Sequence, residues 1–282
     1  MSANIILVTG ATGKTGRRVA KRLEKDGYTV RAVSRKSELP FDWDDDRTWT
    51  RAIDGVKSIY IVHPGLGSIE AALQVREFAK LAAARGVTKA VLVCTPDDGS
   101  EFSRSMRNAE QGITEAGLIL TSLRLRWFNQ NFSEDFLLDP VISGELRLPA
   151  GLGKEAFVDA DDIAEVAAAA LTDALHDGRT YELTGPRLLS FADIVDEISR
   201  VAGHPVRYVP LTPDAYVAEQ IAMGVPEEWA RSFGAIYHDI ANHKLESVSG
   251  DIEKVLGRPA RDFAAYVANV AASGVWATHD QM

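Results

Sequence analysis

Ile5-Ile6-Leu7-Val8-Thr9-Gly10-Ala11-Thr12-Gly13-Lys14-Thr15-Gly16 decides the fold. A near-continuous apolar strand over residues 4–9 runs into three glycines, and a helical pattern over 14–26 follows, with Val19, Ala20 and Leu23 in phase. Glycine at these places permits a tight turn, close approach of the backbone to a pyrophosphate, and close helix–strand packing. The helix N-terminus beyond offers N–H groups and the positive end of a dipole. Gly13-Lys14-Thr15 imitates the end of a triphosphate loop, but Val8 stands where that motif requires glycine. The spacing is Gly-x-x-Gly-x-x-Gly, and the ligand it points to is a dinucleotide.

Working outward, further β-branched runs occur at 29–34, 58–62, 90–94 and 119–123, with helical patterns at 68–85 and 101–116. Apolar strands separated by helices predict an α/β, Rossmann-type doubly wound parallel sheet covered on both faces. Residues 1–135 are expected to form the nucleotide-binding core. Residues 136–282, with a helix at 161–171, a strand at 179–183 and a Ser190-capped helix at 191–202, are expected to complete the sheet and to build a smaller, mostly helical substrate lobe that does not fold alone.

The second strand ends Val33-Ser34-Arg35-Lys36, where NAD-preferring folds carry a ribose-binding acid. A carboxylate would repel a 2′-phosphate, whereas an Arg guanidinium holds one in a forked contact. NADPH is therefore expected over NADH, with Ser34, Arg35 and Lys36 at the ribose phosphate. Lys14, Arg17 and Arg18 add local positive field, and solvated surface cations remain the alternative.

The 282 residues hold 40 acidic and 31 basic side chains, a net charge of −9. Such a chain has no general basic face for nucleic acid or a membrane surface. Cys94 is the only cysteine, which excludes an intrachain disulfide and a cysteine-based metal cluster. No run approaches a membrane span, and the opening Met1–Gly10 is too short and uncharged for a signal peptide, so the expected location is the cytoplasm. His238 and His243 have the wrong spacing for one helical face, and no metal is expected.

Several landmarks carry a resemblance: Arg107-Asn108-Ala109-Glu110, the run from Leu123 to Asn131, Phe157-Val158-Asp159-Ala160-Asp161-Asp162, Tyr181-Glu182-Leu183-Thr184-Gly185-Pro186 and Leu256-Gly257-Arg258-Pro259. With the glycine loop, the sequence resembles the NmrA-like branch of the atypical short-chain dehydrogenases. That family joins NADPH-dependent quinone, dye and ketone reductases to non-catalytic nucleotide sensors. The resemblance implies dinucleotide contacts from Gly10, Thr12, Gly13, Lys14, Thr15 and Gly16, with Arg35 at the adenosine ribose, and from His63, Pro64, Cys94 and Thr95 in later loops. Phe41 and Trp43 are candidates to wall the adenine, with plain packing as the alternative.

The proton donor is the unsolved part. No tyrosine has lysine four residues on, so the Tyr-x-x-x-Lys pair of typical short-chain dehydrogenases is absent. Many relatives place Lys or His four residues before the position of Glu110, and this chain has Met106 there. Glu110 could equally be a surface partner of Arg107. Quinones and cationic dyes suit such a site, because their reduction can draw its proton from water. Trp127, Phe128 and Phe132 are candidates for an aromatic acceptor pocket. The stripe Trp229, Phe233, Ile236, Tyr237 and Ile240 reads as core or as a lid. A reductase of a quinone or another flat conjugated molecule is expected, a nucleotide sensor is the alternative, epimerase-like chemistry remains, and homodimer formation is open.

Overall fold

The structure is a computed structural model that describes residues 4–277, and Met1–Ala3 of the opening run lie outside the described residues. In chain order the elements begin β1 (Ile5–Val8), α1 (Gly16–Lys25), β2 (Thr29–Ala32), α2 (Trp49–Ile53), β3 (Val56–Ile61), α3 (Ile69–Ala84), β4 (Lys89–Cys94) and α4 (Glu101–Glu115). Next come β5 (Ile119–Leu125), α5 (Asn131–Glu134), α6 (Leu138–Ser143), β6 (Glu145–Leu148), β7 (Lys154–Glu155), α7 (Ala160–Thr172), β8 (Thr180–Leu183) and β9 (Leu189–Ser190). The chain closes with α8 (Phe191–Ser199), β10 (Arg207–Pro210), α9 (Pro213–Ala222), α10 (Glu227–Ala241), α11 (Asp251–Leu256) and α12 (Phe263–Ser273).

Six strands form one parallel sheet in the order β2-β1-β3-β4-β5-β8. This is the Rossmann-type doubly wound sheet. The strand order reverses between β1 and β3, the switch point where ligands collect in open α/β sheets. Leu7, Val8, Ile59, Tyr60, Ile61, Val91 and Leu92 are all fully buried, as strands covered on both faces must be. Ser68 and Ser100 start α3 and α4 by accepting from the N–H groups of Ala71 and Ser103.

The chain divides into two compact units. The first takes the chain up to Arg126 with Ala160–Leu183 and Asp251–Pro259, and holds the whole six-stranded sheet. Two late landmarks have a structural purpose here: Arg258 Nη2 donates to Asp162 at 2.7 Å and Glu165 at 2.6 Å, tying the segment after α11 to α7. The second unit, Trp127–Asp159, Thr184–Gly250 and the chain from Ala260, is mostly helical, with two small two-stranded sheets. Its core is an aromatic cluster in which Phe132, Phe157, Phe191 and Phe263 are closely packed.

Candidate functional site

Thr9 locks the end of β1 to β3: its hydroxyl donates to Tyr60 O at 3.1 Å and accepts from Val62 N at 2.9 Å. Gly10 then turns at φ +61°, and Gly13 N donates to Gly10 O at 2.9 Å. A Cβ on Gly16 would stand 2.3 Å from Gly10 O, so no larger residue fits where α1 departs from the loop. Thr15 caps α1 without a side-chain hydrogen bond, and the first turn holds no acid. An anion suits that N-terminus.

Above this loop lies a cavity of about 660 Å³, lined from the C-terminal ends of β1, β2 and β3. Gly10, Thr12 and Gly13 form one side; Ser34, Arg35 and Lys36 a second; His63 and Pro64 a third. Lys14, Thr15 and Gly16, around the start of α1, and Cys94 and Thr95, at the end of β4, are not among its lining residues. Ser34 fixes the basic turn, because its N–H donates to Ser37 Oγ at 2.9 Å and its carbonyl accepts from Ser37 Oγ and Phe41 N. Arg35 and Lys36 are exposed there and have no ion-pair partner among the described residues. Arg18, by contrast, is committed to Asp161 and Lys14 O, each at 2.9 Å.

Phe41 and Trp43 are buried yet face the cavity, edge to face with each other and with Phe78. The Trp43 indole donates to Val62 O at 3.1 Å and lies 4.7 Å from the His63 ring. His63 sits in a hydrogen-bonded row. Its Nδ1 accepts from Gly65 N at 3.0 Å, which makes it the Nε2–H tautomer donating to Gln74 Oε1 at 2.8 Å. Gln74 Nε2 donates in turn to Asp44 at 3.0 Å. Burial lowers the His63 pKa below its ordinary 6.5, against the opposing pull of Gln74, Asp44 and Glu70. Sequence reasoning missed Gln74 and Asp44. The signal was there: Gln74 is a polar residue on the face of α3 that buries Ala71, Val75 and Phe78.

At the end of β4 the arrangement differs from the Arg107 partnership considered above. Arg107 pairs with Asp97, and Glu110 instead faces Arg124 at 3.5 Å and the Cys94 thiol at 3.9 Å. Burial and the Glu110 charge push the thiol pKa up, so Cys94 stays protonated. Met106 accepts from Thr95 N and Oγ1 at 3.1 and 3.2 Å. It holds the β4 loop and offers no proton.

In the second unit, Trp127 is half-buried against Tyr237 at 5.2 Å. Phe128 joins Val158 by an isolated parallel bridge. Phe132 is fully enclosed in the aromatic core, and its carbonyl takes the Trp276 indole N–H at 2.8 Å. The α10 stripe splits: Tyr237 and Ile240 are buried, whereas Trp229 and Ile236 point outward. No group of three or more metal-ligating side chains, and no helix long and apolar enough to cross a membrane, occurs among the described residues.

Residues 6–94 match the NAD dependent epimerase/dehydratase family. An NAD(P)H azoreductase of Xenophilus azovorans is 32% identical, with 96% of this chain aligned to 99% of that one. The chain belongs to the NmrA-like branch of the atypical short-chain dehydrogenases, a family of NAD(P)H-dependent oxidoreductases. Among solved structures, the fold is similar to an NADPH-dependent quinone oxidoreductase of Escherichia coli in complex with NADPH (TM-score 0.76, 23% identity, 94% of this chain and 99% of that one). It is also similar to NmrA, a negative transcriptional regulator in complex with NAD (TM-score 0.74, 16% identity, 97% of each chain). The NmrA-like membership agrees with a glycine cradle at the switch point.

Proposed function

We propose that this protein is an NADPH-dependent reductase that passes hydride to a quinone or another flat conjugated acceptor. The observation that carries the cofactor is the cavity at the β1/β3 switch point, where a glycine cradle meets two cations that have no ion-pair partner among the described residues. These residues fit a dinucleotide with a 2′-phosphate: the backbone of Gly10–Gly13 and the α1 N-terminus receive the pyrophosphate, and Arg35 and Lys36 receive the ribose phosphate. Phe41, Trp43 and His63 give the base an aromatic wall. Once bound, the nicotinamide supplies hydride.

The acceptor class follows from what β4 and α4 lack. With Met106 bonded to Thr95 and Cys94 held protonated, the chain favours acceptors that draw their proton from water. The azoreductase relative supports a conjugated acceptor. The same Met106 favours a second reading, a nucleotide sensor without turnover, which the likeness to NmrA also supports. Loss of NADPH absorbance in the presence of quinones, azo dyes and ketones decides between them. Turnover with a quinone or dye is expected, and binding of NADPH without turnover would leave the sensor.

A further inference from the structure

Asp44, Gln74 and His63 all line the cavity at the switch point, and the hydrogen bonds of their row allow the Gln74 carboxamide one orientation. Gly65 N donates to His63 Nδ1 at 3.0 Å, so the imidazole carries its proton on Nε2 and donates it to Gln74 at 2.8 Å. Only the amide oxygen can receive it. At the other end the Asp44 carboxylate accepts and cannot donate, so it takes the amide N–H at 3.0 Å. Turning the amide over would set two donors against each other at His63 and two acceptors at Asp44.

These bonds use half of what the carboxamide offers. An amide oxygen has two lone pairs and an amide nitrogen two N–H bonds, and His63 takes one of the first and Asp44 one of the second. One acceptor and one donor remain side by side on a residue that lines the cavity. Next to them is a flat wall: the Trp43 ring lies 4.7 Å from the His63 ring, and its indole is held by Val62 O at 3.1 Å. His63 belongs to both features. A ring laid on this wall and matched to the carboxamide must itself present a donor beside an acceptor. Adenine does so, with its exocyclic amine next to a ring nitrogen. Hypoxanthine carries a carbonyl in place of that amine and sets oxygen against the amide oxygen, which the row does not allow to turn away.

We infer that Gln74 is the residue that selects adenine at the base end of the nucleotide, with His63 and Asp44 as positioning residues that fix its amide. This rests on the NADPH reading above and names what reads the base of that cofactor; the hydride acceptor plays no part in it. Asp42 and Glu70 also line the cavity, but a carboxylate only accepts, so it can meet an amine and cannot read the ring nitrogen beside it. Discrimination between purines therefore falls to the carboxamide, whose two atoms differ in sense.

Calorimetry of the wild-type protein with NADPH and with its deaminated analogue, nicotinamide hypoxanthine dinucleotide phosphate, reads this selection without turnover. NADPH is expected to bind about tenfold more tightly. In Gln74→Leu the ratio of the two affinities falls to about one, through loss of NADPH affinity. Lys36→Ala, at the ribose phosphate, weakens both nucleotides alike and keeps the ratio. A general loosening of the fold does the same, so the ratio separates reading of the base from a structural role. Equal binding of the two nucleotides by the wild type overturns the inference and leaves the NADPH reading standing. A Gln74→Leu protein that keeps the wild-type preference overturns it as well. A wild type that binds neither nucleotide would remove the NADPH reading itself, and the inference with it.

Discussion

Arg35 is the residue on which the proposed preference for NADPH turns. Its guanidinium is exposed, unpaired among the described residues, and placed on the cavity by the Ser34–Ser37 turn. A charge-assisted bond to a 2′-phosphate is worth about 1.5–3 kcal/mol. Arg35→Ala is therefore expected to weaken NADPH binding by about tenfold to a hundredfold, leaving NADH within about twofold, both by calorimetry. Equal losses for the two nucleotides would take the 2′-phosphate away from Arg35. This residue was legible in the sequence because a strand end fixes where it must stand. Asp44 and Gln74 were not, since the row they form with His63 brings together residues from three separate segments.

At the scale of the element, the turn after β3 carries a pH dependence. His63 accepts from Gly65 N only when Nδ1 is unprotonated. Its folded pKa lies below the ordinary 6.5, so the unfolded chain takes up the proton first as the pH falls. The stabilisation is complete above about 6.5 and is lost as the pH drops towards the lowered folded value. Urea unfolding from pH 8 to pH 5 is expected to show a steeper loss for the wild type than for His63→Gln. Parallel curves would mean that the imidazole contributes no pH dependence.

The six strands of the sheet and the helices α1, α3, α4 and α7 were legible within a few residues, because apolar runs and helical periodicity mark buried elements, whereas the five-residue α2 was too short to show a pattern. The stripe on α10 was ambiguous because periodicity alone does not say which neighbour covers a face. The structure divides it, with Tyr237 and Ile240 inward and Trp229 58% exposed. Met106 illustrates the same limit at the end of β4. Its place in the chain was readable, but its hold on Thr95 required the loop to be folded.

For the whole molecule, a long-range ion-pair clamp ties the segment after α11 to α7 within the first unit. Arg258 reaches across more than ninety residues to Asp162, which is fully buried, and to Glu165. Sequence spacing cannot announce such a clamp, although Leu256-Gly257-Arg258-Pro259 was visible as a landmark. Arg258→Ala is expected to destabilise the protein by about 2 kcal/mol, discounted from the cost of breaking a wholly buried pair because the arginine is partly exposed. A urea midpoint equal to that of the wild type would show that the clamp contributes nothing.

The central claim is that NADPH bound at the β1/β3 switch point delivers hydride to a conjugated acceptor. Its most direct test is the initial rate of NADPH oxidation by the intact protein against quinones, azo dyes and simple ketones. Turnover is expected with quinones or dyes and little with ketones. Tight NADPH binding with no oxidation by any acceptor would contradict it.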